Sequence, residues 1–307
     1  MKKILTIIVA VATISVAAKA SGPFLGSSVE FGARFGIGAL LPVSDPAIAD
    51  FMPVKYTPSI AAGIDMHYTY MANQFFGFTT GMSFIILNSS MSSSGVRSTY
   101  TGDMMLDLPG FGVTASGVHC VGTTSTVKES YKTAFVEIPA LLAIRNGNWY
   151  YDLGLRFAVP LKMNADYEYG QSIMYIDYVE RTGSDLSANP MPQPADIGGK
   201  GEYNVLSNRS RSLYVLWSME IGYTIDLFAN GALSIGAYLD YGLNDANLGN
   251  KETDELLTLN GSTVAGYNGM TNSNLMSSIR YYTAGVRVLY NLGFGSKVGG
   301  KKSKSLL

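Results

Sequence analysis

Histidine and cysteine, the side chains best suited to nucleophilic, acid–base or metal chemistry, number only three in this chain: His67, His119 and Cys120. A closed zinc site needs four such ligands, and a single cysteine forms no intramolecular disulfide, so both are excluded. What remains is a histidine beside hydroxyls, the pairing in which imidazole takes a proton from a nucleophile. His119 stands next to Cys120 in a stretch crowded with Ser and Thr, and His67 lies two residues from Asp65. A run so rich in hydroxyls supplies such neighbours by composition alone. No catalytic residue, metal ligand or cofactor is therefore assigned.

The second group with chemistry is ionic. Glu30, Arg34, Asp65, His67, Glu137, Arg145, Asp152, Arg156, Glu220, Asp226, Asp240 and Arg287 all fall on one side of a period-two alternation. Four arginines thus face seven carboxylates and one histidine. In a narrow interior such charges must be paired or hydrated, because an isolated buried charge is very costly. Two uses follow. One is an ion-pair network that plugs the interior; the other is a narrow cation-preferring pore, since carboxylates are in excess.

The elements that position these groups are strands. Val29, Phe31, Ala33, Phe35, Ile37, Ala39 and Leu41 alternate with Glu30, Gly32, Arg34, Gly36 and Gly38, which puts the two sets on opposite faces. The same pattern predicts strands over 29–41, 60–70, 75–87, 131–145, 149–160, 212–228, 232–242 and 279–292. Alternation alone fits a soluble sandwich or a membrane barrel with its faces reversed. Three features favour the barrel. The strands are long for soluble ones, which cluster near ~5–6 residues. Connections alternate between short (71–74, 146–148, 229–231) and long (42–58, 88–130, 161–211, 243–278), as short periplasmic turns and long outer loops do. Finally, Tyr68, Tyr70, Phe76, Phe78, Trp149, Tyr151, Phe228 and Tyr290 share the apolar parity near a short turn or the last strand end. Amphipathic rings so placed form a girdle at a membrane–water interface.

The expected fold is all-β: a transmembrane up-and-down antiparallel barrel of eight strands. Ten are possible if 172–180 and 201–207 join it; they read instead as a hairpin above the membrane. Its interior parity implies that Gly36→Arg is tolerated better than Val215→Arg. His67 falls near the periplasmic end of its strand, the wrong end for chemistry on outer-leaflet lipid, so a lipid A-modifying or proteolytic enzyme is the least favoured reading.

Lys2, Lys3, the apolar run Ile4–Ala18 and the small residues of Ala18-Lys19-Ala20 read as a secretory signal cleaved after Ala20. Its removal takes the formal charge from −1 to −4, which suggests no nucleic-acid partner. The expected location is a bacterial outer membrane. Expected partners are its lipid and lipopolysaccharide, the machinery that inserts barrels, and an extracellular ligand or envelope protein at the long loops. Residues 295–307, with Lys297, Lys301, Lys302 and Lys304, read as a basic periplasmic tail.

The segment Phe135-Val136-Glu137-Ile138-Pro139-Ala140-Leu141-Leu142 resembles the Phe/Leu-Glu-Ile-Pro-Leu-Leu strand of PorT-like outer membrane β-barrel proteins of Bacteroidetes-type bacteria. The last strand, Gly285-Val286-Arg287-Val288-Leu289-Tyr290, is similar too. The resemblance covers the barrel strands and leaves the long connections unmatched. It implies an outer-membrane barrel, of which some relatives serve secretion machinery. Pro139 has no N–H to give a ladder, so a bulge or bend is expected there.

The alternating connection lengths predict which side each faces. Protease added to intact cells should cut within 88–130 and 161–211 and leave 146–148 protected. Cutting first at 146–148 would invert the topology.

Overall fold

The computed structural model describes residues 26–44, 53–108, 111–181, 192–194, 198–206, 213–227, 231–245, 256–260, 263–271 and 276–294. The leader, the tail 295–307 and the expected girdle residue Phe228 lie outside them. Eight strands make the wall: β1 (Gly26–Ser44), β2 (Val54–Met71), β3 (Phe76–Leu108), β4 (Phe111–Asn146), β5 (Trp149–Tyr169), β6 (Tyr214–Asp226), β7 (Gly231–Gly242) and β8 (Met276–Gly293). Each pairs antiparallel with the next, and β8 returns to β1 from Ser28↔Gly293 to Ser44↔Met276. The ring therefore has eight strands. Closure leaves no unpaired edge at membrane depth, which a hydrocarbon solvent requires.

Local chemistry sets the short turns. Asn73 Oδ1 accepts the N–H groups of Phe75 and Phe76 at 2.8 and 2.9 Å, closing the β2–β3 turn. Between β4 and β5, Asn146↔Trp149 encloses Gly147 at φ +61°. A glycine there meets the positive φ that a two-residue hairpin needs at its first central position.

The outward face is apolar. Phe35, Ile60 and Ile64 are each more than 60% exposed, a belt that water would not tolerate on a monomer. Tyr68, Tyr70, Phe76, Phe78, Trp149 and Tyr151 are exposed near the turn end, and Tyr290 is half-exposed. Trp149 packs edge-on against Tyr223 at 5.4 Å. A second aromatic row, which the sequence reading did not identify, crosses the other side of the belt. Trp217, Tyr241 and Tyr282 are successive partners across β6, β7 and β8. Arg280 lies over the Tyr241 ring at 5.9 Å.

The long connections are largely strand. β3 and β4 run 33 and 36 residues, and their ladder continues from Phe76↔Ile144 to Leu108↔Phe111. The stretch 88–130 reads as loop because neither face is apolar. Its Thr, Val and Tyr are nevertheless strong strand formers, and beyond the membrane a two-sided polar sheet is stable in water. Strand Ser172–Arg181 does not pair with 199–204 as expected; it lies along β4 at 116–124, while Gly199–Asn204 lies along β5 at 164–169. A small hairpin pairs 257–260 with 263–267. Among the described residues the wall is thus tall on the β3–β5 side and low on the β6–β8 side.

Two further expectations change in detail. At Pro139 the β3–β4 register is kept, but pairing is interrupted between Thr80↔Ala140 and Ser83↔Glu137. The missing N–H costs the ladder locally without a bulge; the register shift against β5 falls instead between Ala134 and Phe135. Gly36 does not tolerate a side chain. It faces Gly285, and a Cβ built on it meets the Ala284 carbonyl oxygen at 2.1 Å. Arginine there forces β1 and β8 apart, whichever face it occupies.

Val215 lies outward of the Trp217 row, and Ile221 sits between Trp217 and Tyr223. Arginine on the lipid face should then cost about 2–4 kcal/mol at Ile221 and about 0–1 kcal/mol at Val215. Urea midpoints of the heat-modifiable folded band measure both, and equal losses would move the membrane band elsewhere.

Candidate functional site

Inward-facing side chains fill the lumen in layers. The central layer is a knot of three guanidinium groups and four carboxylates, drawn from seven of the eight strands. Arg34 of β1 reaches Asp65 at 3.0 Å, Glu137 at 2.8 Å and Asp240 at 3.1 Å. Arg156 of β5 meets Asp240 at 3.2 Å and donates to Ser218 Oγ at 2.9 Å. Arg287 of β8 pairs with Asp65 at 3.1 Å and with Glu220. All three arginines are fully buried. Charges this deep hold only when paired, and each guanidinium lies within salt-bridge distance of at least two carboxylates, although both Asp65 oxygens and the terminal nitrogens of Arg156 make no hydrogen bond. Ser218 also donates to Asp240 at 2.6 Å, and Tyr150 to Glu220 at 2.7 Å.

His67 joins the knot's edge rather than a catalytic group. Its Nε2 is 3.2 Å from Ser83 Oγ and 3.8 Å from Asp65 Oδ1. Hydroxyl and carboxylate thus sit on the same ring nitrogen, whereas a base oriented by an acid uses both. Ser83 is buried as well. His119 and Cys120 lie in the outer part of β4, where His119 is opposite Thr101 and Tyr178 in register; their side chains are not among those described.

Toward the turn end, Arg145 pairs with Asp152 at 2.5 Å and lies over the Tyr150 ring at 5.2 Å. Glu30 accepts from Thr69 at 3.2 Å. Glu30, Arg145, Ser234 and Asn291 line a cavity of about 40 Å³, room for a few waters. Asp226 is half-buried, six residues beyond Glu220 along β6, and does not reach the knot.

Toward the outer end the lumen turns apolar, which the sequence reading missed. Phe135, Tyr214 and Tyr281 pack ring against ring at 5.0–5.7 Å among Leu40, Leu87 and Leu216, all buried. Above them Glu129, buried on β4, collects the outer segments. Its carboxylate accepts from the hydroxyls of Tyr131, Tyr203 and Tyr267 and from the Met270 N–H at 2.7 Å. Burial and the Glu129 charge push the Tyr267 hydroxyl well above its ordinary range, so it stays a donor. Tyr167 stacks on Tyr267 at 4.1 Å. Tyr203, Tyr267 and Met270 are thereby tied across the mouth. Glu129 lay in the expected loop 88–130; the signal that it is inward-facing is its two-residue spacing to Val127 and Tyr131.

A closed eight-stranded wall with apolar side chains outside and paired charge inside defines a membrane-spanning β-barrel. No family model and no curated protein sequence matches the chain. Among solved structures it is similar to the outer membrane protein OprG from Pseudomonas aeruginosa, with 11% identity, TM-score 0.30, and coverage of 90% of this chain and 100% of that one. It is also similar to Ail, the attachment invasion locus protein of Yersinia pestis, crystallised with the heparin analogue sucrose octasulfate. There the identity is 10% and the TM-score 0.25, covering 87% of this chain and 99% of that one. At such scores the barrel assignment rests on this chain's own strand pairing.

Removing one member of a buried ion-pair set strands the others, at about 3–5 kcal/mol. Arg34→Met should lower the urea midpoint of the folded band by that much, while Lys132→Met, which breaks an exposed pair with Asp166, should leave it nearly unchanged.

Proposed function

We propose that the chain is a non-enzymatic outer-membrane barrel of a bacterium, with a lumen closed by its own side chains and a working surface in the β-structure beyond the membrane. The observation that carries this reading is the stack of three layers inside the wall. Solvated polar groups at the turn end give way to the ion-pair knot, and the knot to a packed apolar layer. A hydrated ion finds water or charge in the first two and neither in the third. A lumen that carries no solute leaves the tall β3–β5 face and the tethered outer segments as what the protein offers to its surroundings, and loops and extensions on a rigid scaffold are where binding function sits.

The partner on this reading is an extracellular ligand or another envelope protein. Affiliation with the PorT-like barrels is part of the proposal. The strand that carries the resemblance, Phe135–Leu142, supplies Glu137 to the knot and Phe135 to the apolar layer, with Ile138 and Leu142 on its outward face.

Planar-bilayer recording tests the closed lumen. The purified protein should insert without steady current at any holding potential. A steady, cation-selective current would instead establish the narrow pore suggested by four carboxylates against three arginines in the knot.

A further inference from the structure

Across three neighbouring strands, Lys55 of β2, Ser92 of β3 and Lys128 of β4 are successive partners in one register. Strands lie about 4.8 Å apart, so the two lysine Cα atoms are roughly 10 Å apart with the serine between them. The next row holds the partners Ser94 and Thr126. Ser93, Val127 and Glu129 point inward and are buried, so these lysines and hydroxyls face outward, away from the lumen. They line a cleft of about 430 Å³, in which Glu168 of β5 is the cross-strand partner of Lys128. Among the described residues neither lysine has a carboxylate within 4 Å, whereas the nearby Lys132 is held by Asp166 at 2.7 Å. Two ammonium groups against one carboxylate leave the cleft with a net positive charge.

Position identifies the ligand. Ile60 on β2 and Ile86 on β3 are exposed members of the apolar belt, and Lys55 and Ser92 lie five and six residues further out along the same strands. At about 3.3 Å per residue on tilted strands, that is roughly 10–15 Å beyond the hydrocarbon edge. This is the depth of headgroups, and an outer leaflet of phosphorylated glycolipid puts its phosphates there. Paired ammonium groups and hydroxyls are what a sugar phosphate accepts from: charge-assisted bonds to phosphate oxygens and neutral ones to the sugar.

We propose that the Lys55–Ser92–Lys128 cleft binds a phosphate group of an outer-leaflet glycolipid. The inference rests on the outer-membrane reading, and the two fail differently. Purified full-length protein in bilayer discs is titrated with diphosphorylated lipid A and with its enzymatically dephosphorylated form, bound lipid being counted by native mass spectrometry. Heat-modifiable migration reports folding of each sample. The native protein should retain the phosphorylated lipid at least about tenfold better, and the preference should weaken as salt rises. The double variant Lys55→Gln/Lys128→Gln should lose the preference and migrate as folded. Equal retention of both lipids by the native protein overturns the proposal, as does a double variant that retains the preference. Displacement of the lipid by millimolar inorganic phosphate would overturn the lipid as the source. Failure to enter bilayer discs at all would instead overturn the membrane reading beneath it.

Discussion

Charge inside a narrow closed wall must be cancelled within bond length, and the rest of this structure follows from how that is done. Three guanidinium groups share four carboxylates, and the seven side chains come from β1, β2, β4, β5, β6, β7 and β8. β3 adds Ser83 through His67. Slipping any strand by one residue turns its whole inward set toward lipid. The knot therefore fixes register around the ring, where hydrogen-bond ladders alone are nearly indifferent to it.

The same arrangement couples neutralisation to closure. Asp65 of β2 is gripped by Arg34 of β1 and Arg287 of β8, the first and last strands of the wall. Before the seam between them forms, Arg287 lacks its Asp65 partner and Asp65 lacks half its cations. Close backbone approach at Gly36 and Gly285 is what lets that seam form. Glycine at both positions is a requirement of the joint, although interior parity alone suggested that Gly36 would accept arginine.

The wall was legible in the sequence because each membrane strand obeys one rule, apolar residues on one face and polar on the other, over a full span. That rule placed Arg34, Asp65, Glu137, Arg156, Glu220, Asp240 and Arg287 on the inner face without any knowledge of which would touch. It failed where the surroundings change. Above the membrane both faces are polar, so the strands of 88–130 left no period to read. Within the lumen the inner face turns apolar at Phe135 and Tyr281, which a polar-inside rule assigns no role. The role of Glu129 was not legible because three of its four donors come from residues more than 70 positions away. Asp226 obeyed the parity but lies too near the turn to reach the knot.

The unequal height of the wall gives the molecule a direction in the plane of the membrane. On one side β3 and β4 rise from the rim for more than twenty residues, on the order of 70 Å along the sheet at about 3.3 Å per residue. On the other, β6 and β7 end, among the described residues, within a few residues of the Trp217 row. A barrel of revolution would present the same profile to every neighbour; this one has a front and a back.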